Sequence, residues 1–203
     1  MKPVSKKKEL MLYNETAKLR VLGVLFRHPE KEFSLSDLAK ESGAAKANIG
    51  VILTELHSLG YIEIVKLTKI WRIQANRTNW NFIKAKIINN LALIYHSGII
   101  EYLIEHNKNP KAIVLFGSFR KGEDTTLSDI DIAIESEAGR DKFDSFYLSD
   151  FVHKSERNKV EELEKILCRK IQIHTFNRKN IDINVFKNIA NGIVLWGFLD
   201  VKV

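Results

Sequence analysis

Cysteine is almost missing from these 203 residues: Cys168 stands alone. That excludes a disulfide framework and a cysteine-rich zinc site. Three prolines and ten glycines are too few for a collagenous or linker-dominated chain. Long apolar runs are also lacking. The most apolar stretch, Ile83 to Ile104, is interrupted by Lys84, Lys86, Asn89, Asn90, His96 and Glu101, which argues against a membrane span. The opening Met1-Lys2-Pro3-Val4-Ser5-Lys6-Lys7-Lys8 is charged and has no apolar signal core. A cytoplasmic protein with no membrane partner is the expectation. What remains is 45% hydrophobic and 28% charged, a globular balance suited to one or two domains.

Negative charge is scarce in the first half. Residues 1–109 hold 17 Lys and Arg against 10 Asp and Glu, whereas residues 110–203 hold 15 of each, so the whole net charge of +7 lies in the first half. A basic half joined to a neutral half suggests a polyanionic partner for the former; a solubilising surface is the plainer alternative.

The first half reads as helices followed by a hairpin. Leu19, Leu22, Leu25 and Phe26 share a helical face within Glu15 to His28, and Pro29 discourages continuation. Ser34 is placed to cap a helix with Asp37 in its first turn and Gly43 at its left-handed stop. Ile49, Ile52, Leu53 and Leu56 form the next stripe, closed by Gly60. Tyr61 to Val65 and Ile70 to Ile73 alternate as strands around Lys66-Leu67-Thr68-Lys69. This order, over Glu32 to Ile73 or about a fifth of the chain, resembles the winged helix-turn-helix of bacterial and archaeal transcription regulators. The resemblance implies a domain over residues 1–77 that binds duplex DNA. Lys46 and Asn48 would lie on the recognition helix, and Lys66, Lys69 and Arg72 on the wing.

Residues 78–109 read as a long helical connector, with Phe82, Ile83, Ile87, Leu91, Ile94, Leu103 and Ile104 forming its stripe. That stripe suits either a core helix or a homodimer helix.

From Pro110 the rhythm changes to short strands separated by helices: Ala112 to Phe116, Asp129 to Ile134, Lys170 to Phe176 and Ile193 to Trp196, with helices over Ser155 to Leu167 and around Asn184 to Asn191. A small α/β layer is expected. Gly117-Ser118 directly follows the first strand, and Asp129-Ile130-Asp131 comes ten residues later. Residues two apart in a strand share a face, so Asp129 and Asp131 present paired carboxylates. Such a pair repels unless a cation intervenes, and hard oxygen ligands favour Mg2+. Gly117 lets the backbone approach closely and Ser118 can donate to a phosphate. A phosphate cradle beside a divalent-metal pair is what nucleotide chemistry needs.

The joint pattern resembles the nucleotidyltransferase superfamily of DNA polymerase beta, especially its minimal members. It spans Val114-Leu115-Phe116-Gly117-Ser118-Phe119-Arg120-Lys121-Gly122-Glu123, then Leu127-Ser128-Asp129-Ile130-Asp131-Ile132, then Asn191-Gly192-Ile193-Val194-Leu195-Trp196-Gly197. The resemblance implies a mixed-sheet α+β domain over residues 110–203 that uses Mg2+ and a nucleoside triphosphate such as ATP. Gly117 and Ser118 would hold the triphosphate, and Asp129 and Asp131 the metal.

Two departures follow. Superfamily members usually carry a third carboxylate where this chain has Gln172, in Arg169-Lys170-Ile171-Gln172-Ile173-His174. Glutamine cannot accept a proton from an attacking hydroxyl. His174, two residues on, is either a substitute base or ligand or an ordinary strand histidine. Members also often place Arg after the Gly-Ser, where this chain has Phe119; Arg120 or Lys121 would then supply the charge. Gly117 and Gly122 have Walker A spacing, but Glu123-Asp124 follow and would repel a triphosphate. Three functions fit: a DNA-associated nucleotidyltransferase, a transcription regulator with a nucleotide-sensing or degenerate domain, or an antitoxin-like enzyme that modifies a partner protein.

Overall fold

The computed structural model describes residues 16–67, 70–107, 110–136, 143–153, 155–179 and 181–201. The chain divides into two compact units, Met1–Asn89 and Asn90–Val203.

In the first unit, α1 (Ala17–Arg27) starts where the Thr16 side chain accepts from the Leu19 amide, and it buries Val21, Leu22, Val24, Leu25 and Phe26. α2 (Leu35–Ser42) is capped by Ser34, whose hydroxyl accepts from the Asp37 amide, and stops at Gly43 in the left-handed region with φ 63°. α3 (Lys46–Ser58) turns Ile49, Leu53 and Leu56 inward. The strands β1 (Ile62–Leu67) and β2 (Ile70–Ala75) pair antiparallel, Ile62 with Ala75 and Leu67 with Ile70. Phe33 bridges backbone to backbone with Ile73, and both side chains join the buried cluster of this unit.

The stretch read as one helix from Thr78 to His106 is two: α4 (Trp80–Ser97) and α5 (Ile99–His106), bent by 51° at the break. Gly98 at φ 81° makes the bend. The Ser97 hydroxyl donates to the Ile94 carbonyl and accepts from the Ile99 amide. Among the described residues no single helix is long and apolar enough to cross a membrane. From Asn90 onward these helices lie in the second unit, where Ile94, Ile99, Ile100, Tyr102 and Leu103 enter the core.

That core supports a mixed five-stranded sheet in the order β5-β6-β4-β3-β7. The strands are β3 (Ala112–Phe116), β4 (Ile130–Glu135), β5 (Asp144–Tyr147), β6 (Ile171–Phe176) and β7 (Ile193–Gly197). β4 and β6 run parallel; β3–β4, β3–β7 and β5–β6 are antiparallel. Short helices α6 (Gly117–Lys121) and α7 (Leu148–Phe151) follow β3 and β5. α8 (Arg157–Leu167) packs Val160, Leu163 and Leu167 with Ile113, Leu115, Ile130, Ile132, Ile171 and Ile173 on one face of the sheet. On the other face, α9 (Ile183–Ala190) packs Phe186 and Ile189 against Ala112, Val114, Ala133 and Phe176. Strand alternation puts Phe116, Asp131, Gln172 and His174 on this second face. The layer is therefore the mixed α/β architecture expected for the C-terminal half.

Candidate active site

β3 runs into Gly117, which sits at φ 72°. In the ladder Phe116 pairs with Asp131, which brings the Asp131 carboxylate onto the Gly117 backbone. A Cβ on Gly117 would overlap Asp131 Oδ2 and lie 3.0 Å from its Cγ. Glycine is thus needed twice, for the left-handed backbone and for the close approach.

Asp129 sits one residue ahead of β4, at the end of the segment that follows α6. A buried polar knot anchors that segment. Asp124, 1% exposed, accepts from Asn90 Nδ2 at 2.9 Å and pairs with Arg169 at 3.1 Å. The Asn90 amide also donates to the Phe119 carbonyl at 2.8 Å. Phe119, the residue after Gly117-Ser118, is buried in the core. The Thr125 amide donates to Ser128 Oγ, closing a turn just before Asp129.

Each aspartate is held through one oxygen. The Tyr147 hydroxyl donates to Asp129 Oδ2 at 3.0 Å. His174 Nε2 lies 3.2 Å from Asp131 Oδ1 and its Nδ1 lies 2.8 Å from Ser145 Oγ. A carboxylate only accepts, so the His174 proton on Nε2 points at Asp131. The ring is also fixed by an edge contact with Phe116 at 5.0 Å between centroids. The negative charge of Asp129, through its hydrogen bond first, and of Asp131 holds the proton on Tyr147 and raises its pKa. Both carboxylates therefore act on the phenol. Asp129 Oδ1 and Asp131 Oδ2 accept no hydrogen bond among the described residues.

Gln172 is Asp131's partner across the parallel ladder, and Tyr147 is Gln172's partner on the far side. The three residues form one row across β4, β6 and β5. An open groove of about 510 Å³ leads away from Asp129, past Ser128 and Leu127 to Glu161 and Glu164 on α8.

The structure thus gathers Gly117, Asp129, Asp131, Gln172 and His174. Ser118 follows Gly117 in the first turn of α6, and Arg120 and Lys121 end that helix without an ion pair among the described residues. Lys46 and Asn48 are exposed on α3 of the first unit. The Lys66 ammonium lies 4.4 Å above the Trp71 ring, and Arg72 pairs with Glu32 at 3.2 Å. Lys69 lies outside the described residues. Tyr147 and Ser145 were missed because β5 was missed. Its only signal is a short aromatic-rich run, Phe143-Asp144-Ser145-Phe146-Tyr147, without strict alternation.

The family model described as "Polymerase beta, Nucleotidyltransferase" matches residues 98–197. Residues 98–197 of the C-terminal unit are thus similar to a nucleotidyltransferase domain, and the match suggests nucleotidyl transfer. No curated protein and no solved structure matches the chain significantly. The family match opens at Gly98, the break between α4 and α5, and so includes α5.

Proposed function

We propose that the nucleotidyltransferase domain binds a nucleoside triphosphate with magnesium at Asp129 and Asp131, and transfers its nucleotidyl group to a hydroxyl. The observation that carries this reading is the seating of the Asp131 carboxylate on the Gly117 backbone, with Asp129 two residues earlier held by the Tyr147 hydroxyl. Among the described residues no cluster of three or more His, Cys, Asp or Glu encloses a metal. Two carboxylates with a free oxygen each fit magnesium nonetheless, because that ion is commonly held by one or two carboxylates plus substrate phosphates. When bound, magnesium offsets negative charge on the phosphates. Ser118, Arg120 and Lys121 are the donors and cations that would meet the phosphate oxygens. His174, with Nε2 3.2 Å from Asp131 Oδ1, is read as a positioning residue rather than as the substitute base.

The first unit, read as a winged helix, would bring this domain to duplex DNA through Lys46 and Asn48 on α3 and Lys66 on the hairpin. Its affinity would fall steeply with salt as phosphate counterions are released. A second reading is favoured by Gln172: a regulator that binds nucleotide without turning it over, for want of a proton acceptor beside Asp131.

Calorimetry with ATP tests the shared core of both readings. Binding should require magnesium and vanish in Asp129→Asn; equal binding in chelator refutes it. Incubation with α-labelled nucleotides, with and without cell extract, then separates transfer from mere binding. It also reveals a partner-protein acceptor, as an antitoxin-like enzyme would have. Gln172→Asp should raise transfer to an added acceptor.

A further inference from the structure

We infer that Tyr147 is an acceptor built into the site, and that the protein nucleotidylates its own Tyr147 phenol. This rests on the reading of Asp129 and Asp131 as a triphosphate site.

Three observations carry it. The first is position. Asp131, Gln172 and Tyr147 are successive partners across β4, β6 and β5, so Tyr147 stands beyond Gln172 in the same row. Its phenol nevertheless reaches back across β6 to Asp129. It therefore stands in the same row as Gln172, the place of the missing third carboxylate, with its hydroxyl at the aspartates. The second is the hydrogen bond itself. The Tyr147 hydroxyl is already 3.0 Å from Asp129 Oδ2, within the range of a nucleophile and its base. Gln172 cannot take a proton; Asp129 can. The third is access combined with restraint. Tyr147 is partly exposed, while its neighbour Leu148 is 6% exposed. The Lys170 ammonium sits 5.2 Å from its ring centre, and Ser145 on the same strand is tied to His174. The phenol is held in place yet open to a phosphate.

The chemistry balances without any further reagent. The Tyr147 oxygen bonds to the α-phosphorus of the nucleotide. The bond from that phosphorus to the oxygen bridging to the β-phosphate breaks, and pyrophosphate leaves. The phenolic proton passes to Asp129 Oδ2. The product is a tyrosine–nucleoside monophosphate diester. Because nucleophile and site share one chain, proximity replaces the search for an external acceptor, and a site lacking its usual base still has a preplaced substrate.

The test uses the full chain. Purified protein is incubated with magnesium and each nucleoside triphosphate, then analysed by intact mass and peptide mapping, alongside protein as isolated from cells. The expected result is one nucleoside monophosphate per chain, on the peptide holding Tyr147. Its rate should not change with protein concentration. It should be absent in Tyr147→Phe of native circular dichroism and slowed at least about 100-fold in Asp129→Asn. Wild-type calorimetry with magnesium and ATP separates the failures. Binding without an adduct overturns the self-modification alone, as does an adduct elsewhere, one that persists in Tyr147→Phe, or a rate that scales with protein concentration. Absence of binding overturns both the self-modification and the site it rests on.

Discussion

Gly117→Ala probes the geometry on which the site depends, and Gly43→Ala is its control. Both glycines are left-handed, at φ 72° and φ 63°, so alanine at either costs roughly 1–2 kcal/mol of backbone strain. Their surroundings differ. A Cβ at Gly43 meets nothing within 4 Å, whereas one at Gly117 runs into the Asp131 carboxylate. To make room, Asp131 must turn away and give up its hydrogen bond from His174. A bond to a charged group contributes about 1.5–3 kcal/mol. Gly117→Ala should therefore destabilise by about 2.5–5 kcal/mol, and Gly43→Ala by about 1–2 kcal/mol. Urea denaturation of each variant against wild type measures the difference. Calorimetry with magnesium and ATP should show binding lost in Gly117→Ala and intact in Gly43→Ala. Equal destabilisation of the two variants, with unchanged nucleotide affinity, would refute the argument that Gly117 is there for Asp131.

Asp124→Asn leaves the Arg169 charge, 4% exposed, without its buried counter-ion. The expected loss is about 3–5 kcal/mol, and a double-mutant cycle with Arg169→Met should show strong coupling; a loss below about 1 kcal/mol would contradict a buried pair. A pH-dependent prediction concerns α5 and the turn before α8. His106 lies 2.7 Å from the Tyr102 carbonyl through Nδ1 and 2.8 Å from Glu156 through Nε2. Both partners are acceptors, so the ring donates twice, as the imidazolium. Burial opposes that charge, but the hydrogen bonds to Glu156 and to Tyr102 outweigh it and leave the His106 pKa above 6.5. The bond from His106 draws Glu156 below 4.5. The His106 contribution is full below 6.5 and is lost as pH rises through its raised value; that of Glu156 is full above 4.5 and is lost as pH falls through its lowered value. Thermal unfolding of wild type against His106→Gln should show the largest wild-type advantage between pH 4.5 and 6.5, and a pH-independent gap would contradict the pairing.

What was legible in the sequence was what local periodicity encodes. Ala112 to Phe116 is the strand β3 residue for residue. Ser34 and Gly43 bound α2 as their cap chemistry requires. The Gly-Ser and Asp-x-Asp pattern carried the resemblance to nucleotidyltransferases, and the family match over residues 98–197 agrees with it. Hidden features came from two sources. Gly98 interrupts a pattern whose apolar stripe continues on both sides, so the stripe masks the break. The second source is contact between distant residues. Tyr147 with Asp129, His174 with Asp131 and Arg169 with Asp124 are separated by 18, 43 and 45 residues. No window of periodicity reports such pairs. Only the sheet order, with the four-residue edge strand β5 beside β6, brings them together.

The same sheet order explains how Gln172 changes the balance of the site. Neighbouring strands lie about 4.8 Å apart, so an aspartate at 172 would face Asp131 across the β4–β6 ladder. At ~5 Å and an effective dielectric of 20, that added pair would repel by about 3 kcal/mol. Glutamine removes this repulsion, and the remaining carboxylates are each steadied by a donor, Tyr147 for Asp129 and His174 for Asp131. The arrangement gives each carboxylate a donor but offers no third carboxylate beside Asp131. Gln172→Asp should reverse the trade. The variant should be less stable alone by up to about 3 kcal/mol. Magnesium with ATP should then raise its melting temperature more than that of the wild type, because the repulsion is relieved only when the site is filled. A variant equally stable alone, with the same ligand-induced shift as wild type, would mean that residue 172 does not face the aspartates electrostatically. The row from Asp131 through Gln172 to Tyr147 would then carry no functional argument.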